Sequence, residues 1–180
     1  MVYWSELYLE IAEKIKANIE QVRWIDLWHE QVSYLPEELP FPTPAVFIDF
    51  NTREANDTGL LVQELLVQVD LRLFYETFSD SYDGSCNQAG ALEFLDRLTE
   101  LHALFHGKHG KHYSEMRRID MTREDSGGAG NLYRISFECI VTDYAAKELF
   151  NEVQSPERGV EITKELPPAP PPSEPMFDVE

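Results

Sequence analysis

The sequence predicts an α+β domain: one mixed, largely antiparallel sheet with two helices packed on one face, followed by a proline-rich C-terminal arm. Three observations carry this prediction. Two segments have the apolar spacing of amphipathic helices, a long middle segment alternates between apolar and polar residues, and a glycine-rich turn joins two further strand-like segments. We place the domain at residues 1–145 and an acidic, proline-rich C-terminal extension at residues 146–180.

The two predicted helices cover residues 3–22 and 89–106. The first helix repeats an apolar residue every four positions, at Leu7, Ile11, Ile15 and Ile19. The second helix has a broader apolar stripe, which consists of Leu92, Leu95, Leu98, Leu101, Leu104 and Phe105. Each helix therefore has one face suited to covering a sheet.

The longest predicted strand, residues 60–76, has one apolar and one polar face. The apolar face consists of Val67, Val69, Leu71, Leu73 and Tyr75, and the other face carries Gln68, Asp70, Arg72, Phe74 and Glu76. This alternation indicates a sheet that helices cover on one side only, with a second side that is wet or faces another subunit. The remaining predicted strands are 23–35, 45–50, 113–123 and 132–144, and residues 51–59 and 124–131 are predicted as loop and turn.

The charge of the chain excludes several classes of function. Its 33 acidic residues outnumber its 15 lysines and arginines, which gives a formal net charge of -18. Such a surface repels phosphate backbones, so sequence-independent binding of DNA or RNA is not expected. No segment approaches the roughly 20 apolar residues that span a bilayer, and the N-terminus lacks the pattern of a secretory signal. Cys86 and Cys139 are too few for a disulfide framework and are predicted to be reduced thiols.

Four histidines lie close together in the sequence and are weak candidates for metal ligands: His102, His106, His109 and His112. His102 and His106 are four residues apart and could share a helix face, a spacing that metal sites use. No neighbouring residues complete a signature such as HExxH. We therefore predict a solvated loop after a helix C-terminus rather than a metal site, and expect no cofactor. Recognisable catalytic motifs are also missing, so the sequence favours a protein that is not an enzyme.

One segment reverses the sign of the charge. Residues 105–123 contain five basic residues against two acids, and these five are candidates for a subunit interface: Lys108, Lys111, Arg117, Arg118 and Arg123. Residues 145–180, in contrast, carry eight acids and three bases. The basic segment could dock the acidic face or tail of an adjacent subunit, form an ordinary solvated strand face, or bind nucleic acid; the net charge disfavours the last reading.

The order of these segments and their local sequences resemble those of the tail-terminator and tail-completion (neck) proteins of long-tailed phages. An amphipathic helix leads into WIDLWHEQ, a proline-rich approach precedes PAVFIDF, and VQVDLRLFYE, a second helix and YRISFECIVTDY follow. The resemblance covers residues 1–145. The acidic proline-rich arm is not a general feature of that family.

The resemblance implies a structural virion protein, made in the host cytoplasm, that forms a homo-oligomeric, typically hexameric ring at the head-proximal end of the tail. Such a ring ends tube polymerisation and joins the tail to the neck, with the tail tube protein and neck or connector proteins as partners. DNA passes through without specific binding, and no membrane is involved. Glu64, Asp70 and Glu76 are candidates to face the lumen, where acids would repel the duplex. The alternatives are an acidic binding module, such as a DNA-mimicking inhibitor, or another head–tail neck component.

Overall fold

The computed structural model describes residues 4–34, 41–76, 81–127 and 130–152. Its elements in chain order are α1 (Trp4–Asn18), β1 (Trp24–Leu27), a 3₁₀ turn (Gln31–Tyr34), β2 (Ala45–Gly59), β3 (Val62–Tyr75), α2 (Gln88–Phe105), β4 (Arg117–Glu124), β5 (Asn131–Asp143) and α3 (Ala145–Glu152). The five strands form one sheet in the order β1-β2-β3-β5-β4. Only β1 and β2 pair in parallel, so the sheet is mixed and the predicted α+β class is confirmed. The predicted proline-rich arm lies outside the described residues.

One apolar core joins the two long helices to one face of the sheet. Its buried side chains include Leu7, Ile11 and Ile15 of α1, Phe94, Leu98, Leu101 and Phe105 of α2, and Val67, Val69, Leu71 and Leu73 of β3. The period of four in α1 and the period of two in β3 thus meet on the predicted faces. The predicted stripe of α2 is wrong at Leu92 and Leu95, which are exposed, because Ala91 and Phe94 are buried in this part of the helix instead. Removal of this apolar surface from water, at roughly 25 cal/mol per Å², is the main force that holds α1 and α2 on the sheet.

The prediction of a loop at residues 51–59 is wrong, because β2 continues to Gly59. It pairs with β3 along this whole stretch, through partners such as Asn51 with Gln68 and Asn56 with Glu64. Asn, Asp and Thr usually indicate turns, but β3 offers these residues a continuous ladder, and two register shifts in β2 accommodate them. The chain reverses at Leu60 and Leu61 instead, and Leu60 is 84% exposed. β2 and β3 are therefore a long two-stranded hairpin.

Three predicted elements are shorter than the sequence suggested. The helix expected at 3–22 ends at Asn18. The strand expected at 23–35 is reduced to β1, because the backbone turns at Glu30 (φ 61°) and enters the 3₁₀ turn. The strand expected from residue 113 begins at Arg117 instead. The preceding residues form a loop in which Tyr113 and Met116 are buried against the helices.

The second face of the sheet is not uniformly polar, which corrects the prediction from β3 alone. Five buried apolar residues form a second, smaller core on that face: Val32, Ala45, Phe47, Phe74 and Leu132. Phe41 completes it, with its ring centroid 5.1 Å from that of Phe47 and 5.8 Å from that of Phe74. Phe41, at the end of the proline-rich approach, thus covers part of this face.

The two cysteines are both free and lie in different environments, since Cys86 is exposed and Cys139 is buried in the main core. Burial, together with the neighbouring Glu138 carboxylate, raises the pKa of the Cys139 thiol to about 12. Because the thiolate is the reactive form, Cys139 is protected from alkylation at ordinary pH while Cys86 is accessible.

We expect one thiol per native chain to react rapidly with an aromatic disulfide reagent at pH 8, and the second to react only after denaturation. Cys86→Ser should remove the rapid phase, whereas Cys139→Ala, as the matched control, should leave it unchanged. The measurement is the absorbance of the released thiolate against time. Two rapid phases in the folded protein would contradict the burial of Cys139.

Candidate interaction surface

β4 lies at one end of the sheet and pairs only with β5 among the described strands. Its residues from Arg117 to Arg123 are all exposed, including the apolar side chains of Ile119 (40%) and Met121 (47%). Half of the backbone N–H and C=O groups of an edge strand point away from its neighbour and can pair with another extended segment. The exposed edge of β4, together with its side chains, is called the β4 edge below.

All five residues of the predicted basic interface are exposed, but they do not form one patch. Arg117, Arg118 and Arg123 belong to β4 itself. Lys108 lies at the start of this strand, because the N–H of Met116 donates to its carbonyl oxygen at 2.9 Å. Lys111 is separated from the other four, since its backbone contacts α1 (below). Four of the five candidates therefore gather at the β4 edge.

Glu10 of α1 holds the loop that leads to β4. Its carboxylate accepts hydrogen bonds from the N–H groups of Lys111 at 2.6 Å and His112 at 3.1 Å, and it lies 2.9 Å from Nδ1 of the His112 ring. A Cβ at Gly110 would come within 2.3 Å of this carboxylate and 2.2 Å of the Tyr113 ring, so the close approach requires glycine. Burial raises the pKa of Tyr113 to about 12, with a further contribution from the charge of Glu10.

The four histidines do not converge on a metal site. His102 and His106 are neighbours, with ring centroids 4.8 Å apart, but Nδ1 of His106 accepts the N–H of Arg118 at 3.1 Å. Burial lowers the pKa of His102, and the charges of Arg118 and His106 lower it further. His112 instead contacts Glu10 and, at 3.4 Å, Glu6, while His109 is exposed. Within the described residues, no three His, Cys, Asp or Glu side chains are arranged to hold a metal ion.

Arg72 is the centre of an ion network on the sheet face opposite the helices, and only 7% of it is exposed. Its guanidinium lies 2.8 Å from the Glu124 carboxylate of β4 and 3.1 Å from the Asp49 carboxylate of β2. It also stacks over the Trp28 ring, 4.7 Å from the centroid. Arg134 of β5 extends the network, since it pairs with Glu124 at 3.2 Å and Asp120 at 3.5 Å.

The three lumen candidates have different environments: Glu64 and Asp70 lie in β3, and Glu76 directly follows that strand. Asp70 is only 6% exposed, and its carboxylate accepts hydrogen bonds from Ser136 at 2.6 Å and Gln68 at 2.8 Å. It therefore does not present its charge to solvent in the single chain. Glu64 is exposed near the turn of the β2–β3 hairpin, and Glu76 is half-buried at the opposite end of β3. Of the three, Glu64 alone is a fully exposed carboxylate.

The opposite edge of the sheet carries an apolar pocket that the sequence did not reveal. It has a volume of about 310 Å³, and its apolar walls are Trp4, Leu27, Trp28, Ile48 and Phe50. It lies beside β2 where β1 ends, because β1 pairs with β2 only as far as Ile48. Its residues come from α1, from β1 and the residues directly after it, and from β2, so no local sequence pattern could have indicated it.

Scanned against protein-family models, the chain matches none, and no curated protein matches it. Within the described residues, no helix is both long and apolar enough to cross a membrane. Function must therefore be inferred from the chemistry and geometry of the chain itself.

Replacement of Glu10 by Ala should release the loop before β4, because three contacts to its carboxylate are lost. We expect amide hydrogen exchange at Lys111 and His112 to accelerate by about tenfold or more, in line with the roughly 1.5–3 kcal/mol of hydrogen bonds to a charged group. Glu13→Ala, at an exposed position of the same helix, is the control. Equal exchange in the two variants would contradict the role of Glu10.

Replacement of Arg72 by Met should lower the free energy of unfolding by roughly 1.5–3 kcal/mol, because it removes charged hydrogen bonds to Asp49 and Glu124, of which Glu124 alone keeps a second partner in Arg134. Arg117→Met is the matched control: the Arg117 side chain is 74% exposed, and we expect its loss to cost less than about 1 kcal/mol. Urea unfolding followed by tryptophan fluorescence measures both values. Equal stability of the two variants would show that the network does not contribute.

Proposed function

We propose that this chain is the subunit of a ring at the head-proximal end of a phage tail, which ends tube polymerisation and joins the tail to the neck. The observation that carries the proposal is the presence of two different, incompletely paired sheet edges. One is the basic β4 edge; the other is the second half of β2, where residues 49–59 carry three acids and one base. Unlike edges on one molecule favour head-to-tail contacts, and these close into a ring when the rotation fits.

The distribution of charge supports contacts between copies rather than contacts with nucleic acid. Arg118 and Arg123 project from β4 on the side of the sheet that the helices occupy, because they pair with Phe137 and Tyr133. They stand on a chain with a net charge of -18, whose field repels a DNA duplex. An acidic surface of a second copy is a more favourable partner for these arginines. The same net charge would let DNA pass through a ring without being held.

The alternative of an acidic module that binds a basic partner is supported by the net charge alone. Several carboxylates on the sheet face opposite the helices are already paired with arginines of the same chain, among them Asp49, Asp120 and Glu124. Carboxylates that are neutralised by arginines of the same chain are poor mimics of the exposed phosphates of a DNA backbone. The structure offers this alternative no second observation, whereas the two unlike edges support self-assembly.

The first test is the mass of the purified full chain. We expect sedimentation velocity to show a concentration-dependent species of several copies of 20.8 kDa, and negative-stain electron microscopy to show rings. The double substitution Arg118→Glu and Arg123→Glu should weaken this association at least tenfold, because it reverses the charge of the β4 edge. Lys16→Glu, on the exposed side of α1, is the control for a charge reversal elsewhere.

The second test separates a tail terminator from other neck components. Added to a polymerising tail tube protein, the chain should shorten the tubes and be found at one end only. A chain that remains monomeric at high concentration, with tube protein present, would overturn the proposal. A ring that forms but leaves tube length unchanged would contradict tail termination.

A further inference from the structure

We propose that the β4 edge of one copy binds residues 160–165 of a second copy as an added strand. This inference rests on the self-association in the proposed function and deepens it, since it names the acidic element that occupies the β4 edge: the C-terminal extension of a second copy, in place of the edge of its β2. It joins two features of the molecule, an exposed basic edge strand and an acidic C-terminal extension.

The receiving surface is the free edge of β4 beyond Arg118. Before that point the edge is already paired, because His106, which follows α2, is bridged to Met116 and accepts the N–H of Arg118. At the other end, Phe94 of α2 packs on Tyr133, whose register partner in β4 is Arg123. The sheet stops at β4, so beyond Arg118 an added strand could lie beside β4 without displacing a described strand or helix.

The side chains of this surface are suited to an acidic segment with some apolar residues. On the helix side, β4 carries Arg118, Met121 and Arg123, which pair with core-facing residues of β5. The opposite side of β4 carries Arg117, which is exposed and 3.6 Å from the Glu138 carboxylate.

The segment 160–165 reads VEITKE and contains three β-branched residues, which favour a strand. In an extended segment Val160, Ile162 and Lys164 would share one face, and Glu161, Thr163 and Glu165 would share the other, which is the acidic face. The run LPPAPPPSEP follows directly, and proline cannot donate to a ladder, so the added strand would end at this point. Pairing through backbone groups gives affinity, and alternate side chains give specificity.

Charge favours this segment as the occupant. Residues 153–180 carry six acids and two bases, whereas residues 105–123 carry five bases and two acids. Attraction between these two regions steers the extension to the β4 edge of another copy. Within β4, Asp120 is turned toward Arg134 and Thr122, and Glu124 toward Arg72, so the arginines on the helix side face the incoming segment.

Cross-linking between two differently sized forms of the full chain tests the proposal. One form carries Met121→Cys and the other, fused to a mass tag, carries Ile162→Cys; both carry Cys86→Ser, because Cys86 is the exposed native thiol. With a short flexible bismaleimide, we expect a product that contains one copy of each form. A chain with both cysteines that yields only an internal link would overturn the assignment to a second copy. Absence of any link would overturn the strand addition itself.

A proline substitution distinguishes strand pairing from a loose electrostatic contact. With the cysteine moved to Thr163, Ile162→Pro should reduce the yield of the mixed product at least tenfold, because it removes an N–H and fixes φ. Ala169→Pro leaves the charge equally unchanged and lies within the proline run, so it is the matched control and should retain the full yield. Equal losses in the two variants would contradict pairing through residues 160–165.

The outcomes separate this inference from the proposed function. If rings form and shorten tail tubes but no mixed product appears, the ring is held by other contacts and the strand addition is wrong. If the mixed product forms while tube length is unaffected, the strand addition stands and the phage role fails.

Addition of 1 M NaCl, which reduces the screening length to about 3 Å, should lower the cross-linking yield severalfold because charge steers the segment. A yield that is independent of salt would contradict this steering.

Discussion

The burial of Arg72 in the middle of the sheet constrains the whole second face of the molecule. Because β3 turns its apolar residues toward the helices, Arg72 must point to the opposite side, where it is only 7% exposed. A guanidinium in such a place requires nearby negative charge, since desolvation of an unpaired ion costs several kcal/mol. Asp49 of β2 and Glu124 of β4 supply that charge from the two sides of β3. One side chain therefore links strands that do not neighbour each other.

This network also determines what the β4 edge presents to solvent. The acidic residues of β4 pair with arginines on the sheet face opposite the helices: Asp120 with Arg134 and Glu124 with Arg72. Arg118 and Arg123 point to the helix side, and both are exposed. The sequence shows a segment with only a small excess of basic residues, but the fold separates the two signs onto different faces of one strand. The local positive charge at the edge is thus greater than the composition indicates.

The sequence predicted those parts of the fold that depend on local periodicity. The spacing of Leu7, Ile11 and Ile15 and the alternation along β3 were sufficient for the helices, the core and the α+β class. Residues 51–59 were mistaken for a loop because their composition was weighed without the partner strand. The contacts of Glu10 with the loop before β4 join residues about a hundred positions apart, and those of Arg72 with Glu124 join residues 52 apart. Pairings at such separations leave no periodic signal, so neither the position of the loop nor the burial of Asp70 could be read from the chain.

The net charge of -18 makes identical copies repel one another, whereas the proposed assembly requires them to attract. The two effects are compatible because the repulsion and the attraction act over different distances. Repulsion between whole copies acts over long distances, and at physiological ionic strength it is screened beyond about 8 Å. Pairing at the β4 edge acts at contact distance, where screening is weak and backbone hydrogen bonds add to the attraction. Moderate salt therefore favours assembly by reducing the general repulsion more than the local attraction, while very high salt weakens both. An acidic protein with one basic edge would accordingly assemble in one orientation, since every other approach brings surfaces of like charge together.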